Sequence, residues 1–201
     1  MKSTILKICC VVIIMMISMT ATGQCADFRF PVGLVFASGV TQVVDKMKEN
    51  FFLDEDYIWP AGVAFNPYLE FGNGLGIGAS LGPYIFMFIE SRYEDDSFSY
   101  IIPVGLDLRY TFLKKSDITP YVRAGFRYPI AGGDYFQSGK IGAFGGIGVE
   151  FWRTKRISMG LEISYDDSKM EIKAGGPGAR PNTREQEVRP GGFMFGVFAV
   201  F

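Results

Sequence analysis

Apolar and polar residues alternate with a period of two through most of the chain after residue 27. The last segment is the clearest, since one face carries Phe193, Phe195, Val197, Ala199 and Phe201. Successive side chains of a β-strand point to opposite faces, so this alternation predicts strands. Eight segments show it, at roughly 28–37, 59–71, 75–90, 99–112, 120–130, 141–152, 157–167 and 190–201. Each is near or above the 9–11 residues that a tilted transmembrane strand requires.

The connections between these segments alternate between long and short. The long ones are 38–58, 91–98, 131–140 and 168–189, and the short ones are 72–74, 114–117 and 153–156. The first short turn contains Asn73-Gly74, a strong hairpin signal. Long loops at one end and short turns at the other are typical of outer-membrane barrels. The sequence therefore predicts an all-β fold, an eight-stranded antiparallel up-and-down transmembrane β-barrel.

The first 26 residues have the pattern of a secretory signal peptide. Lys2 and Lys7 precede an apolar run at 8–19, and small and polar residues follow it. We expect cleavage after Gly23 or Ala26, which leaves residues 27–201 as the barrel. A permanent anchor is one alternative, but 12 apolar residues are short for a spanning helix. A lipid attached at Cys25 is the other. The mature chain keeps at most one cysteine and hence no internal disulfide.

Periodicity alone does not decide which face meets lipid, because a soluble barrel alternates in the same way. Three observations favour an apolar exterior. Glycine crowds the charged face, which suits the narrow interior of an eight-stranded barrel. The opposite face carries large apolar side chains on nearly every strand, too many to leave in water. Aromatic residues gather near the strand ends, as in interfacial girdles.

The inward face then carries nine charged residues: Arg29, Glu70, Glu90, Asp107, Arg109, Arg123, Arg127, Glu150 and Glu162. If the turn at 113–119 sets the register, Arg109 and Arg123 lie opposite one another. Two guanidinium groups so close need carboxylates, which Glu70, Asp107 or Glu150 supply. We expect a salt-bridge network that plugs the lumen. The alternative is a narrow path for ions or solutes.

Three prolines fall inside the proposed strands, namely Pro67, Pro83 and Pro103. Each removes a hydrogen bond of the ladder, and a closed barrel has no edge that tolerates the loss. Bulges or shifted strand boundaries are therefore expected at these positions.

Composition excludes several function classes. The chain has no histidine, so histidine-dependent nucleophilic schemes are excluded, as is the chemistry of the outer-membrane lipid A deacylases and palmitoyltransferases that resemble it in size. A formal net charge of −1 gives no support for nucleic acid as a partner. The glycines at 74, 76 and 78 lack the strand–helix context of a dinucleotide loop. We therefore expect a non-enzymatic protein with no catalytic residues, no metal and no cofactor.

The predicted loops contain two further features. Val44, Met47 and Phe51 have helical spacing, which predicts a short helix that caps the barrel mouth. The alternative is an apolar contact for a small hydrophobic ligand or a partner. Acidic clusters at 54–56 and 94–96 are solvated loop charge, or else they bridge weakly through divalent cations to lipopolysaccharide.

A signal peptide, eight alternating strands and a final strand ending in Phe201 together resemble the small outer-membrane β-barrels of Gram-negative bacteria. The outer membrane protein W and X types and the barrel domain of outer membrane protein A are the nearest comparisons. The resemblance implies an outer-membrane location, with outer-membrane lipid and lipopolysaccharide as partners. It also implies that Phe193, Phe195, Val197, Ala199 and Phe201 form the assembly signal read by the barrel insertion machinery, and the W type suggests a small hydrophobic ligand.

These observations predict an integral outer-membrane barrel with a structural or interaction role and a salt-bridged lumen. The alternative is a narrow, porin-like channel or an uptake barrel for ions or small hydrophobic molecules. A third class, an adhesin displayed through the loops, has no recognisable binding motif in the sequence.

Overall fold

The computed structural model describes residues 26–52, 61–83, 85–91, 94–176 and 178–201, and for 85–91 and 94–97 it describes the backbone alone. Nearly all of the expected signal peptide, and the acidic cluster at 54–56, lie outside the described residues. Within them the chain forms one helix, α1 (Gly39–Asn50), and fourteen strand segments. The strands are β1 (Asp27–Arg29), β2 (Pro31–Ala37), β3 (Ala61–Phe65), β4 (Tyr68–Glu70), β5 (Leu75–Leu81), β6 (Ile85–Ser91), β7 (Glu94–Thr111), β8 (Ile118–Gly133), β9 (Phe136–Lys140), β10 (Gly142–Phe151), β11 (Ser158–Asp166), β12 (Lys169–Ile172), β13 (Gln186–Val188) and β14 (Gly192–Val200).

These segments build a closed antiparallel barrel of eight strands, which confirms the predicted fold class. The first three barrel strands are each interrupted once and consist of β1 with β2, β3 with β4, and β5 with β6. The other five are β7, β8, β10, β11 and β14. The barrel closes where β14 pairs with β2, with Val200 opposite Pro31 and Met194 opposite Ala37.

Along the barrel strands the large apolar side chains that face outward are exposed, whereas the inward positions are buried. The exposed set includes Leu34, Phe36, Val63, Leu106, Leu108, Val122, Phe126, Ile147, Leu161, Ile163 and Phe195. Every charged residue of the strand interiors that the structure describes with its side chain points the other way. The apolar face is therefore the outer one, as the sequence predicts.

Two of the three strand prolines lie at interruptions. Pro67 separates β3 from β4, and Pro83 separates β5 from β6. Pairing across the first gap stays in one register, with Val32 opposite Phe65 and Arg29 opposite Tyr68. Across the second gap the pairing with β7 shifts by one residue, which is a bulge. The expected bulge is thus present at Pro83, whereas Pro67 lies at an interruption within a barrel strand and leaves the register unchanged.

Pro103 lies within β7, directly opposite Pro129 of β8. The carbonyl of Pro103 accepts a hydrogen bond from the amide of Gly82, so the backbone polar groups of Pro103 face the β5–β6 interruption. Pro129 lies beyond Arg127, whose partner Gly142 is the first residue of β10. Each missing N–H therefore lies where the neighbouring strand is interrupted or has not yet begun. The two prolines thus remove few hydrogen bonds between strands.

The end of the barrel with the long connections is more regular than predicted. The segments 91–98, 131–140 and 168–189 were expected as loops, and this was wrong in part. The first is included mostly in the β6–β7 hairpin, and the other two contain β9, β12 and β13, which form a three-stranded sheet. These strands have only three to five residues, too few for a clear alternation.

The helix α1 lies at the same end, inside the predicted first loop, and covers the barrel mouth. Its residues Val40, Val43 and Met47 recur at helical spacing and are fully buried. They belong to an apolar core with Tyr135 and Met170 from the outer segments. This core is called the cap below. No helix among the described residues is long and apolar enough to cross a membrane.

Candidate functional site: the charged lumen

Two fully buried carboxylates, Glu70 and Glu150, organise the lumen at the short-turn end. The guanidinium of Arg153 donates to Glu150 at 2.7 Å and to both oxygens of Glu70 at 2.6 Å. Glu70 belongs to the second barrel strand and Arg153 follows the sixth, so this contact spans the barrel. Charge-assisted bonds of this length, with both partners shielded from water, are the strong class of hydrogen bond.

Further cations complete this cluster. Glu150 also accepts from Arg109 at 3.1 Å and lies 3.6 Å from Arg29, while Glu70 lies 3.3 Å from Lys114. The hydroxyls of Ser158 and Thr111 donate to Glu150 and Glu70, at 2.6 and 3.1 Å. Each carboxylate thus has several cationic or hydroxyl partners. We call this group of residues the lower cluster.

Arg109 and Arg123 lie directly opposite each other in the register of β7 and β8, as the turn length predicts. Their like charges are separated by different partners. Arg109 turns towards Glu150, and its guanidinium lies 3.5 Å from the Tyr121 ring centroid and 4.4 Å from that of Tyr68. Two aromatic faces therefore flank this cation, which is a favourable cation–π arrangement.

Arg123 pairs with two carboxylates in the middle of the lumen, which we call the middle cluster. Its Nε lies 3.7 Å from Asp107 and 3.5 Å from Glu162. The Tyr121 hydroxyl donates to Glu162 at 3.1 Å and so fixes that carboxylate. Tyr121 thus contacts both clusters, through its ring and its hydroxyl.

Arg127 lies nearest the cap, and it pairs with Asp166 at 3.7 Å. Its guanidinium lies 3.8 Å from the Phe144 ring centroid, and that of Arg123 lies 4.5 Å from the same ring. Asp166 was absent from the predicted network, although it lies within the predicted segment 157–167 and shares the inward face with Ser164 and Glu162.

Little space is left between these side chains. Small cavities of about 10 Å³ each lie among the described lumen residues, one beside Arg109 and Arg123 and another beside Arg127 and Pro83. Each volume suffices for about one water molecule. Several buried polar atoms near them have no hydrogen-bond partner within the described part of the chain, among them Asn66 Oδ1, Arg123 Nη2 and Arg127 Nε.

Sequence reasoning missed Arg153 and Lys114, because both lie in short turns where solvent exposure is the ordinary expectation. In both turns the preceding residue has a positive φ, +57° for Trp152 and +48° for Leu113. These left-handed residues face outward, while the next side chain turns into the lumen. Glycine or asparagine would have signalled such a conformation, but neither is present.

The remaining predicted site residues lie in three separate parts of the structure: β6, the terminal strand and the cap. Glu90 lies in β6, and its side chain is outside the described residues. The terminal strand lines the outer wall with Phe193, Phe195 and Val197, while Ala199 is half-buried and Phe201 is exposed. Among the candidates for ligand contact, Met47 and Phe51 are fully buried in the cap and Val44 packs against it.

A separate ion cluster lies in the outer three-stranded sheet. Glu187 on β13 accepts from Lys140 at 2.6 Å and from Lys169 at 2.7 Å. The hydrogen bonds from these two lysines, together with their positive charges, lower the pKa of the Glu187 carboxyl from its ordinary 4.5 to about 2. No group of His, Cys, Asp and Glu side chains suited to a metal ion is found among the described residues.

Comparison with solved structures identifies proteins with a similar fold. The outer membrane protein OprG from Pseudomonas aeruginosa superposes with a TM-score of 0.55 at 12% identity, over 89% of this chain and 97% of that one. The chain has the fold of a small outer-membrane β-barrel. Neisserial surface protein A matches with a TM-score of 0.41 at 15% identity, over 88% of this chain and 96% of that one. No protein-family model and no curated protein sequence matches the chain.

Proposed function

We propose that this protein is a non-conducting, non-enzymatic barrel of the bacterial outer membrane, with a structural or interaction role. The observation that carries the proposal is the contact of Arg153 with Glu70 across the lumen. Together with Glu150 and Arg109, this contact fills the short-turn end with paired charges. Such a lumen supports the wall of the barrel and leaves no wide water path.

The environment that we propose for the barrel follows from its outer wall. Its apolar face is suited to outer-membrane lipid, and its capped end, with the long connections, is the end that faces lipopolysaccharide in such barrels. Export by a cleaved signal peptide and insertion by the barrel insertion machinery complete the proposal. A small hydrophobic ligand at Val44, Met47 and Phe51 would require the cap to open, because Met47 and Phe51 have no exposed surface.

The absence of enzymatic activity is supported by how the buried carboxylates are used. A general acid or base needs a proton that it can exchange with substrate, and a site for that substrate beside it. Glu70 and Glu150 are instead held by several cations and hydroxyls each, and each cavity beside the middle cluster has room for about one water molecule only.

The competing function is a narrow channel, and ion flux across vesicles distinguishes the two. Refolded protein is reconstituted into liposomes that contain a potassium-sensitive dye, and an unheated gel shift verifies that the barrels are closed. We expect efflux at the rate of protein-free vesicles. A protein-dependent, reproducible efflux from closed barrels would contradict the proposal and support the channel.

A further inference from the structure

The lipid-facing wall is not uniform, because a groove of about 450 Å³ lies on its described part. Its floor and sides come from neighbouring strands β8, β10, β11 and β14, with apolar side chains that include Val122, Ile147, Val149, Leu161 and Phe195. Val149 lies between Pro120 and Leu161 in the register and only two residues from the end of β10. The groove therefore lies in the half of the barrel next to the short turns.

Two basic turns border this end of the groove. Lys115 lies in the turn between β7 and β8, and Lys155 and Arg156 lie in the turn between β10 and β11. The two turns touch, since the Thr154 hydroxyl donates to Asp117 and the Arg153 amide donates to the Asp117 carbonyl. All three cationic side chains are exposed, and none has an ion pair with any described residue.

An apolar groove with exposed cations at one end is suited to an amphipathic ligand that has a negatively charged headgroup. We propose that the groove and its basic turns bind an anionic phospholipid of the inner leaflet, with an acyl chain in the groove and the phosphate beside Lys115, Lys155 and Arg156. Apolar walls alone would accept any acyl chain, but exposed cations that have no ion pair with a described residue select for negative charge at the headgroup level. Trp152, exposed in the same turn, is suited to this interface.

The opposite rim of the barrel offers a matched comparison. There, three cations have carboxylate partners: Lys140 and Lys169 pair with Glu187, and Arg189 pairs with Asp167 at 2.7 Å. The inference adds a lipid site to the proposed function and does not depend on whether the lumen conducts.

Native mass spectrometry of the detergent-released barrel tests the inference. The protein is titrated with dioleoyl phosphatidylglycerol or with dioleoyl phosphatidylcholine, and bound lipid is counted per barrel. Since each cation near an anionic lipid contributes on the order of one kcal/mol in a membrane, we expect at least about a fivefold preference for phosphatidylglycerol. The triple variant K115Q/K155Q/R156Q should lose that preference.

Two further variants separate charge from shape. Val149→Phe fills the groove and should reduce retention of both lipids. The triple variant K140Q/K169Q/R189Q, which removes as much charge from the opposite rim, should bind like the native protein. Equal binding of the two lipids by the native barrel, or an unchanged preference in K115Q/K155Q/R156Q, would overturn the proposal. An unheated gel shift verifies that each variant is folded.

Discussion

Nη2 of Arg153 lies 2.6 Å from both carboxylate oxygens of Glu70, although the two residues belong to opposite sides of the barrel. This contact links the second barrel strand to the turn after the sixth. Strands that are not neighbours in the sheet are thereby joined by an ion pair across the lumen, in addition to the backbone hydrogen bonds around the barrel.

Removing this link should destabilise the barrel strongly. Arg153→Ala leaves Glu70 and Glu150 buried with fewer cations, and breaking a buried ion pair in this way costs about 3–5 kcal/mol. Urea unfolding in detergent, followed by tryptophan fluorescence, measures the loss. Lys155→Ala, an exposed cation two residues further along, should stay within about 0.5 kcal/mol. Equal stability of the two variants would show that the cross-lumen pair contributes nothing.

Tyr121 should contribute separately through its hydroxyl and its ring. Tyr121→Phe removes only the hydrogen bond to Glu162 and should cost about 1–2 kcal/mol. Tyr121→Leu also removes the aromatic face beside Arg109 and should cost about 1–2 kcal/mol more. Urea unfolding of the two variants under the same conditions gives the difference. If Leu is tolerated as well as Phe, then the ring does not stabilise Arg109.

Glycine is required where Tyr121 crosses the lumen. A Cβ at Gly148 would overlap the Tyr121 ring, whereas a Cβ at Gly160 would meet its nearest atom, Phe198 Cβ, at 3.7 Å. Gly148→Ala should therefore displace Tyr121 and cost about 1–3 kcal/mol, as overpacking does. The folded fraction by gel shift and the urea midpoint measure this. Gly160→Ala is the control and should fold normally. Equal behaviour of the two variants would show that the close approach of Gly148 to Tyr121 does not require glycine.

The outer sheet should loosen in acid. The pKa of Glu187 is lowered to about 2, so its ionised form contributes stability that is fully present above about pH 4.5 and is lost as pH falls towards 2. The protection of the β13 amides from hydrogen exchange, measured relative to intrinsic exchange at each pH, should fall across this window. In Glu187→Gln this fall should be absent, because the residue no longer titrates. A window that persists in Glu187→Gln would assign the effect to another group.

Much of the fold could be predicted from the sequence, because period-two alternation and short turns specify both strands and register. The pairing of Arg109 with Arg123 is an example, since it follows from the turn between β7 and β8. Lys114 and Arg153 could not be predicted, because their direction depends on a left-handed Leu113 and Trp152.

The outer end of the barrel escaped prediction for another reason. The strands β12 and β13 have four and three residues, and the stretch between them is rich in glycine and proline. These two strands form because of tertiary packing, since Met170 and Ile172 are buried in the cap. The helix was predicted because Met47 and Phe51 keep the helical spacing, but the sequence could not show that both are fully buried.

Single-molecule conductance across a planar bilayer tests the central claim, a lumen plugged by paired charges, most directly. Native barrels should be silent, and the double variant R109A/R153A, which removes two cations of the lower cluster, should show discrete current steps if it still folds by gel shift. Lys155→Ala serves as the silent control. Reproducible steps from the native barrel, at the frequency of the double variant, would contradict the claim and show that the lumen charges line a water path.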